Sequence, residues 1–124
     1  MKRTLGVLAL TLTLTAQAET WVTYAYTARS NRDLDFDAAS ITHYDNRGTT
    51  LIVWHRIIHN RDLLRLARTE FHCASRSSRT VSEVRFDDAG EVIFQKANDS
   101  EPWQYTVPTT PEYLLLDTVC RNYH

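Results

Sequence analysis

The chain is poor in several residue types, and these shortages exclude some classes of protein. Its 124 residues include three glycines, three prolines, two cysteines and one methionine. The sequence contains no glycine-rich phosphate loop, no nucleophile elbow and no metalloprotease helix motif. It also has no apolar run long enough to cross a bilayer as a helix, so we predict no transmembrane segment.

The first eighteen residues have the pattern of an export signal. Lys2 and Arg3 give a positive start, a short apolar run follows, and Ala-Gln-Ala at positions 16–18 matches a cleavage site. We therefore predict a signal peptide over residues 1–18 and one domain over residues 19–124. No cysteine comes directly after the predicted cleavage site, so we expect no lipid anchor. The expected location is the periplasm, or the cell surface or medium.

The predicted domain is mildly acidic. Without Lys2 and Arg3 it has 12 basic and 15 acidic residues, a net charge near −3. Such a domain is a poor polyphosphate binder, so we expect no nucleic-acid partner. Eleven of the basic residues are arginines and one is Lys96. Arginine suits carboxylate recognition and stacking on aromatic rings better than lysine does.

Alternating apolar and β-branched residues predict an α+β fold with an antiparallel sheet of about six strands. The polar residues 27–35 are interpreted as a loop. Gly48 and Gly90 fall in predicted hairpin turns. A C-terminal helix is expected to begin near Pro111, with Thr109 or Thr110 as its cap.

Two cysteines are expected to join this helix to the sheet. Cys120 falls on the apolar helix face, and strand alternation places Cys73 on the same side as Phe71. An even pair of cysteines in an exported protein usually forms a disulfide. Closing a loop of about 48 residues would stabilise the fold by roughly 4 kcal/mol on the chain-entropy model. We therefore predict a helix packed on one face of the sheet and held by Cys73–Cys120.

Several short motifs occur in a characteristic order along the predicted domain. They are Trp21, Phe36-Asp37-x-x-Ser40-Ile41, the strand bearing Trp54, Glu70-Phe71-x-Cys73, Arg79, Phe86-Asp87-Asp88-x-Gly90-x-Val92, Trp103-Gln104-Tyr105-x-Val107-Pro108 and Val119-Cys120. In this order the sequence resembles the surface-adhesin protein E-like family of Gram-negative bacteria. The resemblance implies a sheet with a disulfide-tied helix and a role in cell adhesion. Founding members bind host matrix and serum proteins such as laminin, vitronectin and plasminogen, and the best-known adhesin is a lipoprotein.

The histidines predict no metal site. On one strand His55 and His59 would lie about 13 Å apart, too far to share an ion. His72 could approach His55 from a neighbouring strand, but that gives two ligands where zinc requires three or four. We therefore expect no metal and no cofactor.

A catalytic hypothesis rests on Arg68, Glu70 and His72, which strand alternation places on one face. These are suitable residue types for general acid–base cleavage of a phosphodiester. Charge pairing on a solvated sheet face explains the same residues, and the acidic net charge disfavours an RNA substrate. We therefore predict a non-enzymatic protein without catalytic residues, and keep a small hydrolase using Glu70 and His72 as an alternative.

Aromatic residues favour a protein-binding function. Alternation places Tyr24 and Tyr26 on the face opposite Trp21, and Trp103 is either part of an exposed recognition loop or a plug between helix and sheet. The candidate binding residues are Tyr24, Tyr26, Arg68, His72, Trp103 and Tyr105. The prediction is an exported domain that binds a protein, such as a host matrix or serum protein, with a homodimer as a further hypothesis. The alternative is a periplasmic envelope accessory protein without an adhesive role.

Overall fold

The computed structural model describes residues 19–44, 49–99 and 101–123. The predicted signal peptide and the turn at Gly48 lie outside the described residues. The strands are β1 (Trp21–Thr27), β2 (Arg32–Asp37), β3 (Thr42–His43), β4 (Thr50–His59), β5 (Asp62–His72), β6 (Ser77–Phe86), β7 (Val92–Lys96) and β8 (Gln104–Tyr105), and the α-helix is α1 (Pro111–Asn122). A single 3₁₀ turn, Ala38–Ser40, follows β2.

All eight strands belong to one antiparallel sheet with the order β1-β2-β4-β5-β6-β7. β3 pairs with β4, and β8 pairs with β6. The predicted antiparallel sheet is confirmed, but the expected number of about six strands is too low. β3 and β8 contain only two residues each, and so short a strand has no recognisable alternation.

The interpretation of residues 27–35 as a loop is wrong, because β2 begins at Arg32. Leu34 and Phe36 are buried on one side of this strand, and aspartates occupy the positions between them. Asp35 is buried because it accepts hydrogen bonds from Thr23 and Arg56. The charged residues from Arg32 onward therefore belong to a strand, and the buried carboxylate of Asp35 has hydrogen-bond donors.

A buried apolar cluster joins α1 to the central strands. Its members are Phe36, Leu51, Val53 and Phe71 from the strands with Leu115, Leu116 and Val119 from the helix. The Cys73–Cys120 disulfide joins the end of β5 to α1, with the two Cα atoms 5.7 Å apart. The predicted disulfide is therefore confirmed, and helix residues lie in the same core as Phe71.

The start of α1 follows the predicted capping chemistry. Thr110 is the N-cap, and its side chain accepts a hydrogen bond from the backbone N–H of Tyr113. Pro111 occupies the first helical position, where its missing N–H costs no hydrogen bond. Glu112 in the first turn and Arg121 in the last complement the helix dipole.

A bulge in β1 reverses the expected arrangement of its aromatic residues. The register passes from Thr23 opposite Asp35 to Ala25 opposite Leu34, so Tyr24 is an extra residue. Its ring lies 6.2 Å from the ring of Phe36. Tyr26 instead pairs with Asp33, on the side of the sheet that carries Trp21 and Asp35. The prediction that Tyr24 and Tyr26 share the face opposite Trp21 is wrong, because it assumed uninterrupted alternation.

His55 is a structural residue of β4. Its side chain is buried, and its Nε2 lies 2.7 Å from Oγ1 of Thr69. Burial lowers the pKa of His55 to about 3, and the positive charge of Arg65 acts in the same direction. His55 pairs with Ala67, whereas His72 pairs with Thr50 on the opposite face. The expectation that His72 approaches His55 is therefore wrong.

Replacing either cysteine by serine should destabilise the protein by a similar amount. The disulfide closes a chain separation of 47 residues, and its loss should cost roughly 4 kcal/mol on the chain-entropy model. Cys73→Ser, Cys120→Ser and the double variant should have similar melting temperatures, all well below that of the native chain. A double variant much less stable than either single variant would contradict this expectation.

His55 should make the protein less stable in mild acid. The folded state keeps this imidazole neutral down to a pH of about 3, while the unfolded chain takes up a proton below about pH 6.5. The unfolded state thus binds more protons between these values, so stability falls as the pH drops. From pH 7 to 4.5 the contribution to the free energy of unfolding is about 2 to 3 kcal/mol.

Urea unfolding of His55→Gln at several pH values checks this contribution. The variant keeps a polar partner for Thr69 but lacks the titrating group, so its stability should vary less between pH 7 and 4.5. His43→Gln, at an exposed position, should retain the native pH dependence. Equal slopes for the native chain and His55→Gln would show that His55 does not cause the effect.

Candidate functional site

The sheet has one face directed away from Leu51, Val53 and Phe71, which we call the open face. Strand register places three successive rows of side chains near its centre. The first row consists of Trp54, Arg68 and Ser82, the second of Ile52, Glu70 and Arg79, and the third of Thr50, His72 and Ser77. Ile52 and Glu70 are buried beneath their neighbours. The predicted common face of Arg68, Glu70 and His72 is confirmed, because β5 pairs with β4 without interruption over residues 65–72.

Each of the three tryptophans in the chain lies beside an arginine. The distances from guanidinium carbon to ring centroid are 4.0 Å for Arg56 and Trp21, 5.9 Å for Arg68 and Trp54, and 4.4 Å for Arg79 and Trp103. A guanidinium above an indole is attracted by the negative face of the ring. These contacts hold large side chains in place on the open face.

Two of these arginines also bind buried carboxylates. Nε of Arg56 donates to Asp35 at 3.0 Å, and Nε of Arg79 donates to Glu70 at 2.6 Å. Glu70 is 4% exposed, so its charge is stabilised chiefly by this partner. Sequence reasoning missed the Glu70–Arg79 pair, although both residues lie at matching distances from the turn between β5 and β6.

An aromatic cluster lies at one end of the open face. The ring centroids of His72 and Trp103 are 6.1 Å apart in an edge-to-face arrangement. Trp103 is 38% exposed and Tyr105 is 63% exposed. Beside them is a shallow hollow of about 440 Å³, lined by Thr50, His72, Ser75, Ser77 and Trp103. Nδ1 of His72 lies 2.8 Å from Oγ of Ser75, which orients the imidazole at this hollow.

Five of the six candidate binding residues lie on the open face. Arg68, His72, Trp103 and Tyr105 all lie on the open face. Tyr26 lies on the same face near the β1–β2 turn, where its hydroxyl donates to Asn31. Tyr24 packs against the core instead, and burial raises the pKa of its hydroxyl.

Trp103 lies at the surface on the open face, and it is not a buried plug between helix and sheet. Its ring contacts Arg79 and His72, both on the open face. Thr106 is the buried residue of this connection. Its hydroxyl donates to the hydroxyl of Ser78, and its backbone N–H donates to the backbone carbonyl of Arg76. Thr106 therefore anchors the segment between β8 and α1 and leaves Trp103 at the surface.

The arrangement of Glu70 and His72 does not present an acid–base pair. The Glu70 carboxylate faces Arg79, and the His72 imidazole contacts Ser75 and Trp103. Within the described ranges, no three side chains of His, Cys, Asp or Glu converge in a way that could hold a metal ion. Among the residues described, no helix is both long and apolar enough to span a membrane.

A second ionic cluster lies on the opposite face. Glu83 accepts hydrogen bonds from Nε of Arg65 at 2.5 Å and Nε of Arg85 at 2.7 Å. Burial acts to raise the pKa of Glu83, but the hydrogen bonds from Arg85 and Arg65 outweigh it and hold the pKa below its usual range. Arg85 also lies over the ring of Phe94, 4.6 Å from its centroid. This cluster joins β5, β6 and β7.

The fold defines the chain as a disulfide-tied sheet-and-helix domain, and a solved structure has the same architecture. That structure is protein E of Haemophilus influenzae, with a TM-score of 0.53 and 13% sequence identity over 85% of this chain and 95% of the other. No curated protein matched the chain in sequence. The family model for surface-adhesin protein E matches residues 21–121. The chain therefore belongs to the surface-adhesin protein E family, whose fold and adhesin character point to a non-enzymatic surface protein.

Removing the partner of Glu70 should destabilise the protein. Loss of one member of a buried ion pair costs about 3–5 kcal/mol, and because Arg79 is 29% exposed we expect roughly 3 kcal/mol for Arg79→Met. Adding Glu70→Gln removes the unpaired charge, so the double variant should be more stable than Arg79→Met alone. Urea unfolding monitored by circular dichroism measures these differences.

Arg121→Met is the matched control for this experiment. Its partner Asp117 lies on the surface of α1, where water screens the ion pair. This variant should unfold at almost the native urea concentration. If Glu70→Gln failed to recover stability in the Arg79→Met background, the cost would come from lost packing over Trp103 instead of the unpaired carboxylate.

Proposed function

We propose that this chain is an exported, non-enzymatic domain that binds another protein through its open face. The observation that carries the proposal is the cluster of Trp103, Tyr105 and His72 at the surface, beside a hollow. Exposed aromatic residues that neighbouring contacts hold in place are typical anchors of protein interfaces. Family membership supports an adhesin-like role and a surface or exported location.

The proposal assigns different roles to the two faces of the sheet. Leu115 and Leu116 of α1 share the buried core with Phe71, and the proposal assigns the open face to a partner. The partners we propose are host extracellular-matrix or serum proteins, the class that the family resemblance implies. A homodimer stays a prediction, and the outer edge of β7, with Val92 and Ile93 exposed, is where a second copy would pair.

Binding to immobilised laminin, vitronectin and plasminogen tests the proposal. The chain should bind at least one of them, and Trp103→Ala combined with Tyr105→Ala should weaken that binding at least tenfold, as expected for loss of a 1.4 kcal/mol hot spot. Leu114→Ala is the matched control, because Leu114 is an exposed apolar residue on α1. Surface plasmon resonance with the exported, oxidised protein measures the affinities.

The result that would overturn the proposal is native affinity in the double variant together with an unchanged melting temperature. Protease treatment of intact cells separates the adhesin from an envelope accessory protein. Loss of the protein from unlysed cells supports contact with host proteins. Complete protection until the outer membrane is opened would contradict that contact and favour a partner within the envelope.

A further inference from the structure

Arg68 is the cation of the open face that has no anionic partner in the described part of the chain. Arg56 and Arg79 each bind a carboxylate, whereas Arg68 has neither a carboxylate within 4.0 Å nor a hydrogen bond among the described residues. Its side chain is nevertheless half-buried. A half-buried guanidinium without an acceptor from the protein is unusual, because buried polar groups normally have acceptors.

The position of Arg68 makes its charge available to a partner. It lies on β5 in the middle of the sheet, between Trp54 on β4 and Ser82 on β6. The guanidinium is 5.9 Å from the ring of Trp54. This contact restricts the side chain and displaces part of its hydration, which lowers the cost of fixing it in a complex.

The two buried carboxylates nearest to Arg68 on the open face are paired with other arginines. Asp35 is bound by Arg56, and Glu70 is bound by Arg79. The Asp37 carboxylate accepts hydrogen bonds from the backbone N–H groups of Thr20 and Ala39. Asp33 lies two strands away from Arg68 and four residues further along the register. The centre of the open face is therefore a local positive site on an otherwise acidic domain.

We infer that Arg68 is the anchor for an acidic side chain of the protein that the open face binds. The planar guanidinium can donate two parallel hydrogen bonds to one carboxylate. Trp54 then provides an apolar wall that shields the new ion pair from water. This inference rests on the proposed function and adds to it a partner chemistry, an Asp or Glu side chain next to apolar residues.

Three peptides with blocked amino termini test the inference. The first, Leu-Glu-Leu with an amidated carboxyl end, contains a side-chain carboxylate. The second, Leu-Gln-Leu amide, is its neutral analogue. The third, Leu-Gln-Leu with a free carboxyl end, has only a terminal carboxylate. Titrations of the ¹⁵N-labelled exported protein would follow the Nε–H signal of Arg68 and the indole N–H signal of Trp54.

The Leu-Glu-Leu amide should shift both signals and bind at least tenfold more tightly than the neutral analogue, as expected for hydrogen bonds to a charged group. Arg68→Gln should abolish this difference, and Arg68→Lys should weaken it, because an ammonium cannot form the bidentate contact. Arg29→Gln, which removes a cation from the exposed β1–β2 turn, should leave the difference unchanged.

Equal binding of the acidic and neutral peptides would overturn the inference. So would native binding by Arg68→Gln, or preference for the free carboxyl end, which would assign Arg68 to a chain terminus. The peptide titration does not require Trp103 or Tyr105, so the double variant at those positions should still respond. If the chain binds the acidic peptide but none of the matrix or serum proteins, only the proposed choice of partner is contradicted.

Discussion

The buried core of the described residues depends on side chains from one short helix, α1. α1 has 12 residues, and isolated helices of that length are marginal in water. Burial of Leu115, Leu116 and Val119 supplies the stability that its length does not, and the Cys73–Cys120 bond limits how far it can move away. The consequence is a sheet with an apolar core on one face and, on the other, arginines and tryptophans that include the exposed Trp103.

Three of the eleven arginines in residues 19–124 contact indole rings on the open face. Arg56 and Arg79 each contact both an indole and a carboxylate, combining two geometries that a lysine ammonium does not match. Such contacts fix the surface side chains before any partner arrives, and less conformational entropy is then lost on binding. Arg68 also contacts an indole, that of Trp54, but it has no carboxylate partner. A carboxylate of a bound protein could take that place.

Regular alternation made much of the structure predictable. It placed Phe71 toward the core and Glu70 and His72 on the other face. The number of cysteines identified the disulfide, and the capping residues identified the start of α1. Alternation failed at Tyr24, because a bulge depends on the fit to the partner strand and is not encoded by spacing. It also failed at Asp35, whose burial requires Thr23 and Arg56 from other strands. Which residues reach the surface is therefore determined by how neighbouring strands pair, and not only by alternation along one strand.

The order of elements along the chain has a consequence for biogenesis. α1 follows all eight strands, and Cys120 lies near its end. A chain exported from its amino terminus would expose the apolar side of the sheet, including Phe36 and Leu51, until the last segment crossed the membrane. The Cys73–Cys120 bond and the core of the described fold can therefore be completed only when the whole of α1 is available.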